Sequence, residues 1–186
     1  MRYPPEETAA KHRRILEEAG RLFRERGFAG VSVGEIMKAT GLTHGPFYNH
    51  FASKEALMAE ALADLSARTQ DDFDRIVAEQ GIGAYLDQYL SRRHVDSAGA
   101  GCLMTALAAD AAKEPATRGA FTGHVKGAIA RLMRALPGKR RAEADARAEA
   151  IVALAAMVGA VTLARAVEDP ALGDEILAAT RRRLAD

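Results

Sequence analysis

Residues Ser32–Phe51 read SVGEIMKATGLTHGPFYNHF, and the order of cap, turn and side chains in this stretch decides the fold. Ser32 followed by Glu35 has the pattern of a capping box: the serine hydroxyl accepts an orphan helix N–H and the glutamate reaches back to the cap. Val33, Ile36, Met37 and Thr40 then fall at i, i+3, i+4 and i+7 and give one buried face. Gly41 supplies the positive φ that stops a helix and turns the chain sharply. Thr43 suits the N-cap of a second helix, and Pro46 in its first turn lacks an N–H that would have had no partner. Phe47 and Phe51, four apart, pin that helix to the core. Thr43, His44, Gly45, Tyr48, Asn49 and His50 are left pointing largely outward.

An ordinary solvated face would be built from Lys, Glu and Gln. This one carries hydroxyls, imidazoles, an amide and a phenol, groups that hydrogen-bond to phosphates and base edges, and Gly45 permits close approach. Ser53, Lys54 and Glu55 open a further helix, whose first amides and Lys54 make a phosphate clamp. The alternative reading of the same residues is a helical hairpin that only packs within an all-α domain.

The run GLTHGPFYNHFASKEAL resembles the helix-turn-helix signature of TetR-type transcriptional regulators, most of which are repressors. The preceding ILEEAGRLFRERGFAGVSVGEIMKATG is similar to the first two helices of that family, so the resemblance covers roughly the first third of the chain. It implies a DNA-binding domain over residues 8–68, with its motif at 32–51, and an effector-binding and dimerisation domain over 69–186. By this resemblance Tyr48, His50 and Lys54 take phosphate contacts. Thr43, His44, Gly45 and Asn49 take base-reading or groove-facing positions, and Ser32, Val33 and Lys38 complete the DNA-binding set. Pro46 stands where relatives often have a small or aliphatic residue. The expected function is a ligand-responsive repressor, not an enzyme, released from a palindromic double-stranded operator by a small apolar or amphipathic effector.

The chain has 186 residues, 48% apolar and 27% charged, which places it among ordinary globular proteins. Its net charge of +1 does not announce a nucleic-acid partner. The positive charge is local: Lys11, Arg13, Arg14, Arg21, Arg24, Arg26, Lys38 and Lys54 all lie in the expected DNA module, offset in part by Glu17, Glu18, Glu25 and Glu35. No apolar run reads as long enough to span a bilayer, the stretch Ile151–Leu163 being short and flanked by charge. No cationic-then-apolar leader is read at the N-terminus. The single cysteine excludes an internal disulfide framework and fits a reducing cytoplasm.

No segment alternates apolar and polar residues convincingly, so the chain reads as all-α with about nine helices. The first runs from near Thr8 to Arg26 with Ile15, Ala19, Leu22 and Phe23 inward, ended by Gly27. After the two motif helices, one long helix from Lys54 to about Glu79 carries Leu57, Ala61, Leu65, Phe73 and Ile76 along a stripe and links the two domains. A short helix bears Tyr85, Leu86, Tyr89 and Leu90, followed by a loop from Asp96 to Gly101. Helices over Cys102–Lys113 and Thr117–Leu136 follow, the second broken by Pro137 and Gly138. The last pair covers about Glu143–Val167 and Pro170–Leu184, with Asp169 as N-cap and Pro170 at N1.

Ile151, Val152, Leu154, Ala155, Val158, Val161 and Thr162 nearly encircle their helix, a pattern that requires either the centre of a core or a partner subunit. The family resemblance favours a homodimer, because its members pack two C-terminal helices from each subunit into a four-helix bundle. Ile151, Ala155, Val158, Thr162, Ile176 and Thr180 are then the interface.

Cys102 opens a helix, where backbone amides favour a reactive thiolate. It reads either as a small inert core residue or as a sensor of electrophiles, and a Cys102-dependent thiol enzyme with His94 or His124 as base is the reading of a different class. None of the five histidines has a spacing that sets two ligands on one helical face, so neither a metal site nor any cofactor is expected. Phe73, Tyr85, Tyr89, Leu103, Met104, Leu107, Phe121 and Met133 are the larger side chains of the middle helices. With Cys102 they line an effector cavity, or are plain core.

Overall fold

The computed structural model describes residues 5–43, 45–136 and 142–185, which hold eight α-helices and no strand. They are α1 (Pro5–Arg26), α2 (Val33–Ala39), α3 (Lys54–Tyr89), α4 (Arg92–Asp96), α5 (Leu103–Lys113), α6 (Pro115–Ala135), α7 (Glu143–Ala166) and α8 (Pro170–Ala185). Turns of 3-10 helix occupy Gly45–Asn49 and Ala98–Ala100. Pro137 and Gly138, expected to break a helix, lie outside the described residues, as does His44.

The sequence signals of the N-terminal part are realised directly. Ile15, Ala19, Leu22 and Phe23 of α1 are buried. The capping box of α2 is formed: Glu35 N–H donates to Ser32 Oγ at 3.2 Å and Ser32 N–H donates to Glu35 Oε2 at 2.8 Å. Phe47 and Phe51 are both buried with ring centroids 5.6 Å apart, anchoring the motif's second segment. That segment is a 3-10 helix rather than a full α-helix. It is five residues long, and Pro46 removes a donor from its first turn, so little is left to support i→i+4 bonding.

Two stretches read as separate helices, near 54–79 and 85–90, are joined in α3 through a break at Gly81, where φ is +85°. Phe73 and Tyr85 are twelve positions apart, about 18 Å along a straight helix, too far for two aromatic side chains to meet. Their ring centroids are 4.5 Å apart, so the axis turns at Gly81. Only glycine adopts that φ without penalty.

The stretch Asp96–Gly101, expected to be a loop, contains the 3-10 turn Ala98–Ala100 and is tied to α1 and α7. Gly101 is buried, and its carbonyl accepts from Arg24 Nη1 on α1 at 3.3 Å. Arg165 on α7 holds the other side, donating to the carbonyls of His94 at 3.0 Å and Val95 at 2.9 Å. Small residues let α1 come this close. The buried cluster is continuous from Ile15 through Leu65 and Phe73 to Leu177, so the core runs on along α3 past the exposed Arg68.

α7 buries Ala150, Ala153, Leu154, Met157, Ala160, Val161 and Ala164 along one side. Its other side is open within one chain, with Ile151, Val152 and Leu163 exposed beside Leu172 of α8. By length and composition alone α7 is apolar enough to cross a membrane, which corrects the expectation that no such run exists. The apolar stretch is longer than Ile151–Leu163 because the alanines on either side extend it.

Gly81 and Gly123 should respond oppositely to alanine. Gly81→Ala places a Cβ at positive φ and should lower stability by about 1–2 kcal/mol. Gly123, inside α6 with open space where a Cβ would sit, should gain roughly 0.5–1 kcal/mol. Urea unfolding of both variants checks the pair.

Candidate functional site

The motif and the segment after it present one outward face. Thr43, Gly45, Tyr48 and Asn49 are exposed, Tyr48 at 65%, and Ser32 and Lys38 border them. A Cβ at Gly45 would meet nothing within 4 Å, so the space beside it is open for a bound partner. Val33 is half-buried against the core and contributes packing. His50 is also half-buried, 5.7 Å from the His12 ring and beside Phe51; burial and then the neighbouring His12 and Lys11 push its pKa down. Lys54 donates through Nζ to the Phe28 carbonyl at 2.6 Å, leaving two of its three ammonium hydrogens for an anion.

Much of the local positive charge is neutralised. Arg21 pairs with Glu18 and Glu25, Arg26 with Glu35, and Lys11 with Glu7. Arg24 is turned inward to Gly101, and burial pushes its pKa down. Among the described residues Arg13, Arg14 and Lys38 are exposed without an ion pair.

A second feature lies between α3, α5, α6 and α7: a small, mainly apolar cavity that opens to solvent. Of the residues expected there, Phe73, Tyr85, Tyr89, Cys102 and Met104 line it. Leu103 and Leu107 are fully buried in the core, and Phe121 and Met133 pack against that core, none of the four reaching the wall. Periodicity marks a side chain as buried and is silent on which buried side chain borders a void. Thr69, Gln70, His124, Arg131, Leu154 and Met157 are wall residues that sequence reasoning missed. His124 carried a signal: an imidazole on the same helix as Phe121, Val125 and Ile129.

Cys102 is the N-cap of α5 and only 7% exposed. His94 does meet it, through the backbone: Cys102 N–H donates to His94 Nε2 at 2.8 Å, while His94 Nδ1 faces the Tyr89 carbonyl at 2.6 Å. The carbonyl can only accept, so hydrogen sits on Nδ1 and the Nε2 lone pair is committed to the amide. His94 is therefore no base for the thiol. Its pKa is pushed down, chiefly by burial. Among the described residues no group of three His, Cys, Asp or Glu side chains is arranged to hold a metal.

His124 is 2% exposed, and its Nδ1 lies 2.9 Å from Ser66 Oγ, which also accepts from Gln70 Nε2 at 2.8 Å. The serine oxygen has two lone pairs and one hydrogen, so this contact is compatible with either neutral tautomer of His124. Burial, and then the nearby Arg131, push the His124 pKa down and keep the ring neutral.

An outward-facing helix-turn-helix joined to a larger all-α domain that encloses a cavity defines a helix-turn-helix regulator architecture. Residues 15–61 match the family model for bacterial regulatory proteins of the tetR family. YdgC of Bacillus subtilis, an uncharacterized HTH-type transcriptional regulator, is 37% identical over 70 residues, which are 38% of this chain and 36% of that protein. The match thus spans little more than a third of that relative's length. A TetR transcriptional regulator from Chloroflexus aurantiacus superposes with a TM-score of 0.80 at 26% identity, over 97% of this chain and 94% of the other. The reduced form of E. coli NemR shares the fold, with a TM-score of 0.79 at 24% identity over 94% and 95% of the two chains. Residues 15–61 thus carry the DNA-binding region of the tetR family, and the chain as a whole shares the fold of TetR transcriptional regulators.

The buried imidazoles dictate a pH response. His50, His94 and His124 all have depressed pKa values in the folded protein, so the unfolded chain binds more protons once pH drops below about 6.5. Stability should be flat above about pH 7.5 and decline through 6.5, with a slope of at most about 1.4 kcal/mol per pH unit for each histidine. Unfolding midpoints between pH 8 and 5 check this, a range above that of the depressed carboxylates Glu35 and Glu55.

Proposed function

We propose that the protein is a homodimeric repressor that binds a palindromic DNA operator and is released by a small apolar or amphipathic molecule held in the cavity. The observation that carries this reading is the exposed set of Thr43, Gly45, Tyr48 and Asn49 on a motif held to the core by Ile36, Met37, Phe47 and Phe51. Such a set is suited to a major groove. Tyr48, His50 and Lys54 take phosphates, while Thr43, Gly45, Asn49 and His44 face base edges. With residues 8–68 as the DNA-binding unit and 69–186 as the effector and dimerisation unit, α3 is the shared element.

The exposed apolar side of α7 and α8 supports the dimer. Apart from Tyr48, the large exposed apolar side chains among the described residues are Ile151, Val152, Leu163 and Leu172. Ala155 and Thr162 continue the same side of α7, and Val158, Ile176 and Thr180 are half-covered at its edge. One recognition segment reads only a few base pairs, and a two-fold pair of them matches a palindrome. Reversible binding is favoured over thiol chemistry at Cys102. The thiol does border the cavity, yet it is buried at the cap of α5, and buried cysteines are commonly inert.

Lys54→Ala tests the docking. It should weaken binding to all DNA sequences and lower the slope of log affinity against log salt by about 1, measured by fluorescence anisotropy. An unchanged slope would remove Lys54 from the interface.

Val152 tests the dimer, because at 66% exposure a charge there leaves the protomer's own core intact. Val152→Asp should sediment as a folded monomer with operator binding lost. A stable dimer would move the interface elsewhere.

A further inference from the structure

His12, His94 and His124 each have a ring nitrogen at hydrogen-bond distance from the protein: His12 from Glu60, His94 from the Tyr89 carbonyl, His124 from Ser66. The ring of His50 has no hydrogen-bond partner and no ion pair among the described residues. His50 directly follows the exposed Tyr48 and Asn49 and is itself half-buried. Its surroundings come from two other helices. His12 of α1 stands 5.7 Å away, centroid to centroid, and stacks on Phe51 at 4.5 Å. Glu60 of α3 holds His12, with Oε1 at 2.6 Å from Nε2. A carboxylate only accepts, so His12 carries hydrogen on that nitrogen.

The charges around His50 oppose a proton on it. From α1 these are His12 and Lys11, the latter paired with Glu7 at 2.8 Å. From α3, Glu60 reaches the cluster and is engaged by His12. On its own segment, Gly45–Phe51, Tyr48 is the other titratable side chain. Burial comes first among the causes that push the His50 pKa down, followed by His12 and Lys11. The free protein therefore keeps His50 neutral above about pH 6.5. The site lacks a negative charge, and a DNA phosphate supplies one.

We propose that the His12–His50 pair makes DNA binding proton-linked: a phosphate docked beside the motif draws a proton onto His50, and the protein holds DNA more tightly as pH falls. This rests on the reading of the motif as a DNA-binding surface. By linkage, affinity rises as pH drops through the range in which the bound state carries the proton and the free state does not. Folding has the opposite sign, because there the unfolded chain is the state that gains the proton. Charge on His12 opposes charge on His50, so the pair sets how far pH must fall before His50 is charged without DNA.

Fluorescence anisotropy with a labelled mixed-sequence duplex at fixed low salt tests this. From pH 7.5 to 6.0 affinity should rise at least about threefold, with a slope of at most about one decade per pH unit for one proton. His44 also lies in the motif, so variants must single out His50. His50→Gln keeps a donor at the position and should lose at least about half of the pH slope, whereas a merely structural His50 would lower affinity alike at every pH. Calorimetry of the wild type in two buffers of different ionisation enthalpy needs no variant, and should record net proton uptake on binding at pH 7. His12→Gln removes one opposing charge and keeps an amide able to donate to Glu60. In that variant the His50 Cε1–H signal of the free protein should titrate at higher pH. A flat wild-type profile, absent proton uptake, a slope unchanged in His50→Gln or a His50 titration unmoved by His12→Gln would each overturn the proposal and leave the DNA-binding reading standing. No DNA binding at any pH would remove that reading and the proton linkage with it.

Discussion

The placement of the helix-turn-helix motif relative to the rest of the molecule depends on the backbone of one residue, Phe28. Its N–H donates to Asp110 Oδ2 on α5 at 3.3 Å and its carbonyl accepts from Lys54 Nζ at the start of α3 at 2.6 Å. The Phe28 ring is buried edge-on against Phe23, with centroids 5.1 Å apart. Three elements are thereby tied where α1 ends and the chain turns toward the motif. α5 is about 16 Å long, with Cys102 of the cavity wall at its start and Asp110 near its end. A molecule that moves the cavity wall therefore reaches the motif along α5 as well as along α3. On the proposed reading, such a molecule shifts DNA affinity only by the difference in its own affinity for the two arrangements.

Electrostatics in the N-terminal part serve folding before binding. Exposed pairs such as Arg21 with Glu18 and Glu25 contribute little stability, usually under about 1 kcal/mol. They do cancel charge that would otherwise attract any polyanion. The cations left over, Arg13, Arg14, Lys38 and the partly engaged Lys54, are few. On the proposed reading, non-specific attraction to DNA is then modest, and discrimination falls to the neutral polar groups around Tyr48 and Asn49.

Local signals were the legible ones. The Ser32–Glu35 cap, the inward face of α1 and the Asp169 turn, where Asp169 Oδ1 accepts from Ala171 N–H at 2.8 Å, each involve residues within a few positions of one another. The encircling apolar pattern of α7 was legible too, although sequence alone could not say which side stays open. The polar pairings of the cavity were hidden because they join distant positions. Ser66 and His124 are 58 residues apart, and an imidazole inside an apolar helix gives no hint of the serine it meets. The 3-10 form of Gly45–Asn49 was hidden for another reason. Caps mark where a segment starts, while the winding of five residues is set by what they pack on.

Gly81 separates two ideas that are easily merged, how many atoms a residue touches and how much structure it determines. A Cβ there would meet nothing within 4 Å, so a ranking of positions by neighbours would pass it over as replaceable. Yet Phe73 and Tyr85 come from opposite sides of that one α-carbon, and their shared cavity exists because the backbone can turn there. The shape of the binding space is written in a torsion angle rather than in any side chain that lines it. Divergence among related chains could therefore exchange most of the wall and preserve the enclosure, or keep the whole wall and lose it at a single residue.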